Sequence, residues 1–240
     1  MKKTKIQILS LGHLPADVNL EKVENWKSDI FELSGKIEHY ELRADSDGQS
    51  WEYSDENIYK QLPKQIEADF LIALVGVPLE DNWYTRRVEE NVVVFTFHEI
   101  SNFLRQKNIP LENVALRLLY AYSLVYVRNN NKIPSVYEVT NFTHDETRGC
   151  IYDMNGLKED IVFSCDHPII CNDCTERLIK EKISQTTINQ VKLELSKINK
   201  ALFYKLTDWV KRHPIFSILI SSIWAVLLGL AGSLLGKLFE

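Results

Sequence analysis

The sequence predicts an α/β domain of three layers with a mixed sheet, followed by a long helical stalk and one transmembrane helix. Three observations carry this. Apolar runs of strand length alternate with helical periodicity as far as Val127, a stretch without Gly or Pro runs from Thr175 to His213, and Ile215 to Gly236 then gives 22 residues without a formal charge. The division that follows is 1–175 for the folded domain, 176–213 for the stalk and 214–240 for the anchor.

Ile6 to Leu11 and Ile37 to Leu42 read as strands. Phe70 to Val77 and Val92 to Phe97 are continuous apolar runs, the pattern of strands buried on both faces. Helical patterns cover Leu20 to Leu33, Glu56 to Ile66 and Leu111 to Val127. Strands and helices that alternate in this way pack as layers around one sheet. Arg128 to Thr143 reads as a long connection, and nothing in the chain repeats. The basic opening around Lys2, Lys3 and Lys5 leads into alternation rather than a long apolar run, so it reads as a first strand and not a signal peptide.

With 240 residues, 45% apolar and 25% charged, the chain suits one core plus an appendage and not a disordered protein. Charge is unevenly placed. Residues 1–175 carry 18 Lys and Arg against 28 Asp and Glu, whereas 176–213 carry 9 against 4. An acidic body argues against nucleic acid as its partner, and a basic stalk suits an anionic lipid surface.

As a helix, 215–236 would be about 33 Å long at ~1.5 Å per residue, enough to cross a hydrocarbon core of ~30 Å. Its apolar residues lie all round the helix, which distinguishes it from an amphipathic surface helix. Only Lys237 to Glu240 follow, so the expected topology is tail-anchored and single-pass. Lys205, Lys211 and Arg212 before the span, against Lys237 after it, place the N-terminal domain in the cytoplasm. Four reduced cysteines suit that compartment. Ser222, Ala225, Gly229, Gly232 and Gly236 form a seam of small residues that lets helix backbones approach, which predicts a homo-oligomer. In the stalk, Ile188, Val191, Leu195, Ile198, Leu202 and Trp209 follow a heptad interrupted by Lys205. That stripe either forms a coiled coil or packs on the chain's own domain. Pro214 is placed to open the membrane helix.

Cys150, Cys165, Cys171 and Cys174 fall within 25 residues and include one C-x-x-C. Thiolates two residues apart grip one metal ion from a tight turn, and Zn²⁺ takes four such ligands. Two donor sets are open: His144 with Cys150, Cys171 and Cys174, or all four cysteines. The first is preferred because Cys165 ends the alternating run Asp160 to Ser164 and reads as an ordinary buried thiol. His167 would only line the cluster. A redox role for the C-x-x-C would need a strand-to-helix context that Pro168-Ile169-Ile170 does not supply. Asp145 or Glu146 stands ready to orient His144.

The run Cys150-Ile151-Tyr152-Asp153-Met154-Asn155, with the later Pro168-Ile169-Ile170-Cys171-Asn172-Asp173-Cys174, resembles the archaemetzincins, a zincin metallopeptidase family. The opening Ile8-Leu9-Ser10-Leu11-Gly12-His13-Leu14-Pro15 is similar to the family's first strand and turn. The resemblance covers 5–178 and implies a zincin-like domain with a structural zinc. It departs from the family where catalysis would reside. The extended motif HExxHxxGxxH is absent: the one His-Glu is His98-Glu99-Ile100-Ser101-Asn102, and the later helix Leu118 to Val127 holds neither His nor Glu.

The expected function is therefore that of a membrane-tethered, catalytically degenerate zincin-like protein, a pseudoenzyme. It would bind a cytoplasmic protein partner and act at the membrane through 215–236, by analogy with effectors of bacterial antiviral defence or stress systems. The alternative is a membrane-bound zinc metallopeptidase whose site is built from His98, Glu99 and His144.

Overall fold

A computed structural model describes residues 2–138 and 140–236, without the side chains of 233–236. Lys237, the expected charge beyond the span, lies outside the described residues. The chain divides into two compact units, 1–199 and 200–240.

In the first unit, β1 (Thr4–Leu11) is central. It pairs in parallel with β2 (Phe31–Leu33) and β3 (Glu38–Tyr40) along one edge and with β4 (Phe70–Val75) along the other. β4 pairs in parallel with β6 (Val92–Thr96), and β5 (Thr85–Glu89) closes that side antiparallel to β6, with a register shift between Arg87 and Glu89. The sheet is thus mixed, in the order β2-β1-β4-β6-β5.

Alternation along β4 explains why its apolar run is unbroken. Phe70, Ile72 and Leu74 face one core with Val93 and Phe95, whereas Leu71, Ala73 and Val75 face a second core with Val92 and Val94. Both faces of the strand are covered, as a continuous apolar strand requires. The first core is closed by α4 (Glu112–Arg128), buried from Glu112 to Val125. The second is closed by α2 (Asp55–Gln61), which sends Ile58 inward. Three layers result. At the end of β4, a Cβ on Gly76 would lie 2.2 Å from the His13 carbonyl, so only glycine lets this turn and the turn after β1 meet.

Several expected elements differ. The helix read over Leu20 to Leu33 is only α1 (Leu20–Glu24), and Phe31 to Leu33 joins the sheet as β2. Its apolar spacing suits either element, and the open edge of β1 decides. The Thr4 N–H donates to the Ile30 carbonyl, and the Glu194 carboxylate accepts from the Asp29 N–H and the Ser28 hydroxyl, which holds the chain in a turn. α2 stops at Gln61, two residues before Pro63. Asp160 to Ser164, read as alternating, is largely helical in α5 (Ile161–Asp166), and α3 (Ile100–Gln106) was not anticipated.

The stretch read as a helical stalk is helical in three pieces: α6 (Asn172–Lys180), α7 (Gln185–Leu195) and α8 (Leu202–Arg212). Lacking Gly and Pro permits a long helix but does not compel one. Lys182 adopts φ +67°, and Ser184 then caps α7 by accepting from the Thr187 N–H. Ile188, Val191, Leu195 and Ile198 are buried in the first core, so this part of the heptad stripe packs on the chain's own domain and not as a coiled coil. Glu194, on the same helix, accepts from Tyr120 of α4 as well as from Ser28 and Asp29.

In the second unit, α8 is amphipathic. Leu202, Phe203, Leu206, Trp209 and Val210 share one face and are exposed, with Lys205, Asp208, Lys211 and Arg212 on the other. Pro214 opens α9 (Pro214–Gly236), and Pro214–Gly232 is long and apolar enough to cross a membrane, with none of that stretch buried.

A candidate metal centre

Between α4 and α7 the chain runs through short backbone pairings that gather four donors. Gly149 turns with φ +74°, where a Cβ would sit 3.2 Å from the Phe163 carbonyl. The next residue, Cys150, then pairs with Ile169: the Ile151 N–H donates to Ile169 O at 2.9 Å and the Ile169 N–H to Gly149 O at 3.0 Å. This brings Cys150 beside Cys171, two residues beyond Ile169. Cys171 occupies the N-cap position of α6 and Cys174 lies in its first turn. His144 pairs with Asp153 by the same device, with the Met154 N–H donating to His144 O at 3.0 Å.

The donor atoms of His144, Cys150, Cys171 and Cys174 lie within 4.8 Å of one another. A tetrahedral zinc, with Zn–S of ~2.3 Å and Zn–N of ~2.0–2.1 Å, sets neighbouring donors about 3.6–3.8 Å apart. Cys171 Sγ and His144 Nε2 are 3.6 Å apart. His144 Nδ1 lies 2.9 Å from the Glu146 carbonyl, an acceptor, so Nδ1 carries the proton and Nε2 is left with a lone pair toward the thiols. The donor set, its spacing and the tautomer all fit zinc. Four protein donors, three of them sulfur, make a closed site of the structural kind.

The electrostatics favour a thiolate at Cys150. A hydrogen bond from Cys174, together with the N–H groups of Cys171 and Tyr152, draws Cys150 well below the usual thiol range, and Cys174 rises in return. Arg148 Nη1 stands 3.7 Å from Cys171 Sγ and 2.6 Å from Asp173, and its guanidinium also pairs with Glu146. A zinc with three thiolates would carry one net negative charge, which Arg148 sits beside.

Glu146 therefore supports His144 through its backbone carbonyl, and the carboxylate near the ring is Asp153, which the sequence reading did not single out. Asp153 accepts from the N–H groups of Arg148 and Cys150 at 3.0 and 2.9 Å and lies 3.5 Å from His144 Nε2. Burial pushes its carboxyl up, against the pull of those bonds. An Asp three residues after a cysteine is a turn signal that marks it only weakly.

The other candidates fall elsewhere. Cys165 is buried outside the donor group, and burial pushes its thiol up to about 12. His167 is likewise outside the group. Glu99 takes φ +62° at the start of α3, and its carboxylate meets Lys158 Nζ at 2.8 Å, a bond that holds its pKa down. Among the described residues, His98 and Glu99 do not join His144 in a metal-holding group. The reason is local: Lys158 engages Glu99, while backbone pairing with 152–154 fixes His144.

No family model and no curated protein matches this chain. Among solved structures, an archaemetzincin from Methanopyrus kandleri is similar at 15% identity with a TM-score of 0.44, over 75% of this chain and 96% of that one.

Proposed function

We propose that this protein is a membrane-attached binding protein, whose folded unit is stapled by zinc and recognises a protein partner on the cytoplasmic side. The observation that carries the reading is the second unit. A charge-free α9 of 23 residues follows directly on α8, whose exposed Phe203, Trp209 and Val210 oppose a face with Lys205, Lys211 and Arg212. Such a helix suits the headgroup layer, with its apolar face in the acyl boundary and its cations toward anionic lipid. The same cations support the cytoplasmic orientation of residues 1–199.

Binding rather than peptide hydrolysis is supported by the closed donor set at the metal centre, which leaves no position for a reactive water. The small-residue seam on α9 supports self-association: a Cβ at Gly229 or Gly232 would meet nothing within 4 Å, so this side is free to receive a second helix.

The test is vesicle flotation in high salt, which screens basic contacts but not insertion. The full chain is expected to float with vesicles, and a chain truncated after Asn199 to stay in the soluble fraction with its zinc. Flotation of the truncated chain would overturn the assignment of membrane attachment to the second unit.

A further inference from the structure

Arg117 projects from the middle of α4 and is only 2% exposed. A guanidinium keeps its proton in proteins, and a charge withdrawn from water is costly unless an opposite charge meets it. Glu112, on the same helix, is engaged by Lys22 at 3.0 Å. The counter-charge comes from Asp153, which is buried and whose carbonyl accepts from Arg117 Nη2 at 3.4 Å. Both side chains line one cavity of about 50 Å³, together with Tyr84, Thr85 and Tyr122. Arg117 Nε and Asp153 Oδ1 are each buried without a hydrogen-bond partner, and Arg117 feels the Asp153 charge. The two charges thus share one enclosure, with room for a bridging water at ~10–15 Å³ each.

The other side of Asp153 belongs to the metal centre. Its Oδ2 accepts from the Arg148 N–H at 3.0 Å and the Cys150 N–H at 2.9 Å, and Oδ1 lies 3.5 Å from His144 Nε2. The Tyr84 hydroxyl adds a second hold on this stretch by donating to the Met154 carbonyl at 2.9 Å. Arg148 engages Asp173 and Glu146 with its guanidinium, so Asp153 is neutralised from the α4 side by Arg117. Closing the turn that gathers His144 and Cys150 therefore buries a carboxylate against a guanidinium that α4 already carries.

We propose that Arg117 is a positioning residue for the metal centre: paired with Asp153 across the shared cavity, it holds 148–153 closed against α4 and so strengthens metal binding. It acts through Asp153 and is not itself a ligand. Metal binding and closure of the segment that carries the ligands are one equilibrium. Removing one member of a buried pair leaves the other charge uncompensated, whereas removing both leaves a neutral site. The inference rests on the zinc staple and not on the membrane reading; failure of the staple would show in the unaltered chain, failure of this inference only in the variants.

The experiment measures the zinc affinity of the full-length chain in detergent, by competition with a chromophoric chelator, as a double-mutant cycle. Arg117→Met and Asp153→Asn are each expected to weaken zinc binding about 10–100-fold, the range for groups that support metal ligands without touching the metal. Asn keeps an acceptor for the Arg148 and Cys150 N–H groups, so Asp153→Asn tests the charge. The double variant is expected to bind zinc more tightly than Asp153→Asn alone, a rescue that loss of packing would not give. That comparison needs only variants that lack the Asp153 charge, so it decides the matter if Arg117→Met fails to fold. Cobalt(II) in place of zinc reads the donor set, and its thiolate absorption at saturation should be the same in every variant. A double variant that binds no more tightly than Asp153→Asn overturns the proposal, as does full zinc affinity in either single variant. A cobalt spectrum altered in Asp153→Asn would make Asp153 a ligand and overturn the positioning role.

Discussion

Replacing Cys174 by serine removes one of the four gathered donors while changing one atom, and Cys165→Ser makes the same change at a buried thiol outside the donor group. The two variants should therefore differ by the metal's share of the folding free energy. Structural zinc contributes ~10–16 kcal/mol to small metal-dependent domains at neutral pH. Loss of even a third of that, ~3–5 kcal/mol, is a large part of the ~5–15 kcal/mol that keeps a domain folded. The backbone pairings around Gly149, Cys150 and Ile169 are short and isolated, so the metal is expected to supply a large share of what ties Cys150 to α6. At Cys165 the cost is that of burying a hydroxyl in place of a thiol, ~1–3 kcal/mol. The assay is zinc content per chain by elemental analysis, with urea unfolding of the full-length protein followed by tryptophan fluorescence. Cys174→Ser is expected to lose zinc and much of its urea resistance, as a strong chelator should do to the unaltered protein. Cys165→Ser is expected to keep one zinc and shift modestly. A full zinc complement in Cys174→Ser, or zinc loss in Cys165→Ser, would refute the donor assignment.

Burial alone would raise the Glu194 carboxyl, but hydrogen bonds from Ser28, the Asp29 N–H, Gln190 and Tyr120 outweigh it and hold the pKa below its usual value. Its stabilisation is therefore present above the unfolded carboxyl pKa of ~4.3 and is lost as pH falls through the lower folded value. Glu194→Gln should cost about 2–3 kcal/mol at neutral pH, with the gap to the unaltered protein closing in acid; a gap that persists undiminished in denaturant titrations in acid would contradict this. In α9, Gly232→Leu fills the open seam while keeping the helix apolar, so cross-linking between copies should fall while vesicle insertion stays normal. Unchanged cross-linking would reduce α9 to an anchor without a self-association face.

What the sequence determined by itself is what local pattern can encode. The unbroken apolar runs of β4 and β6 demand cover on both faces, and the structure provides it with α4 on one side and α2 on the other. The charge-free composition of 214–236 is a property of the segment alone. Cysteine spacing nominated the donors, because thiols crowded into one short stretch have few other uses.

Tertiary structure decided every case in which one pattern served two outcomes. Phe31 to Leu33 continues the apolar spacing of α1 yet becomes a strand, because β1 offers an unpaired edge and Glu194, 165 residues away from Asp29, fixes the turn before it. The stripe Ile188 to Ile198 could have met a second copy, but the chain's own core covers it. Asp153 carries only a weak turn signal in its neighbours along the chain. Its role comes from burial and from its place beside the His144 ring, and both depend on groups that only folding brings together.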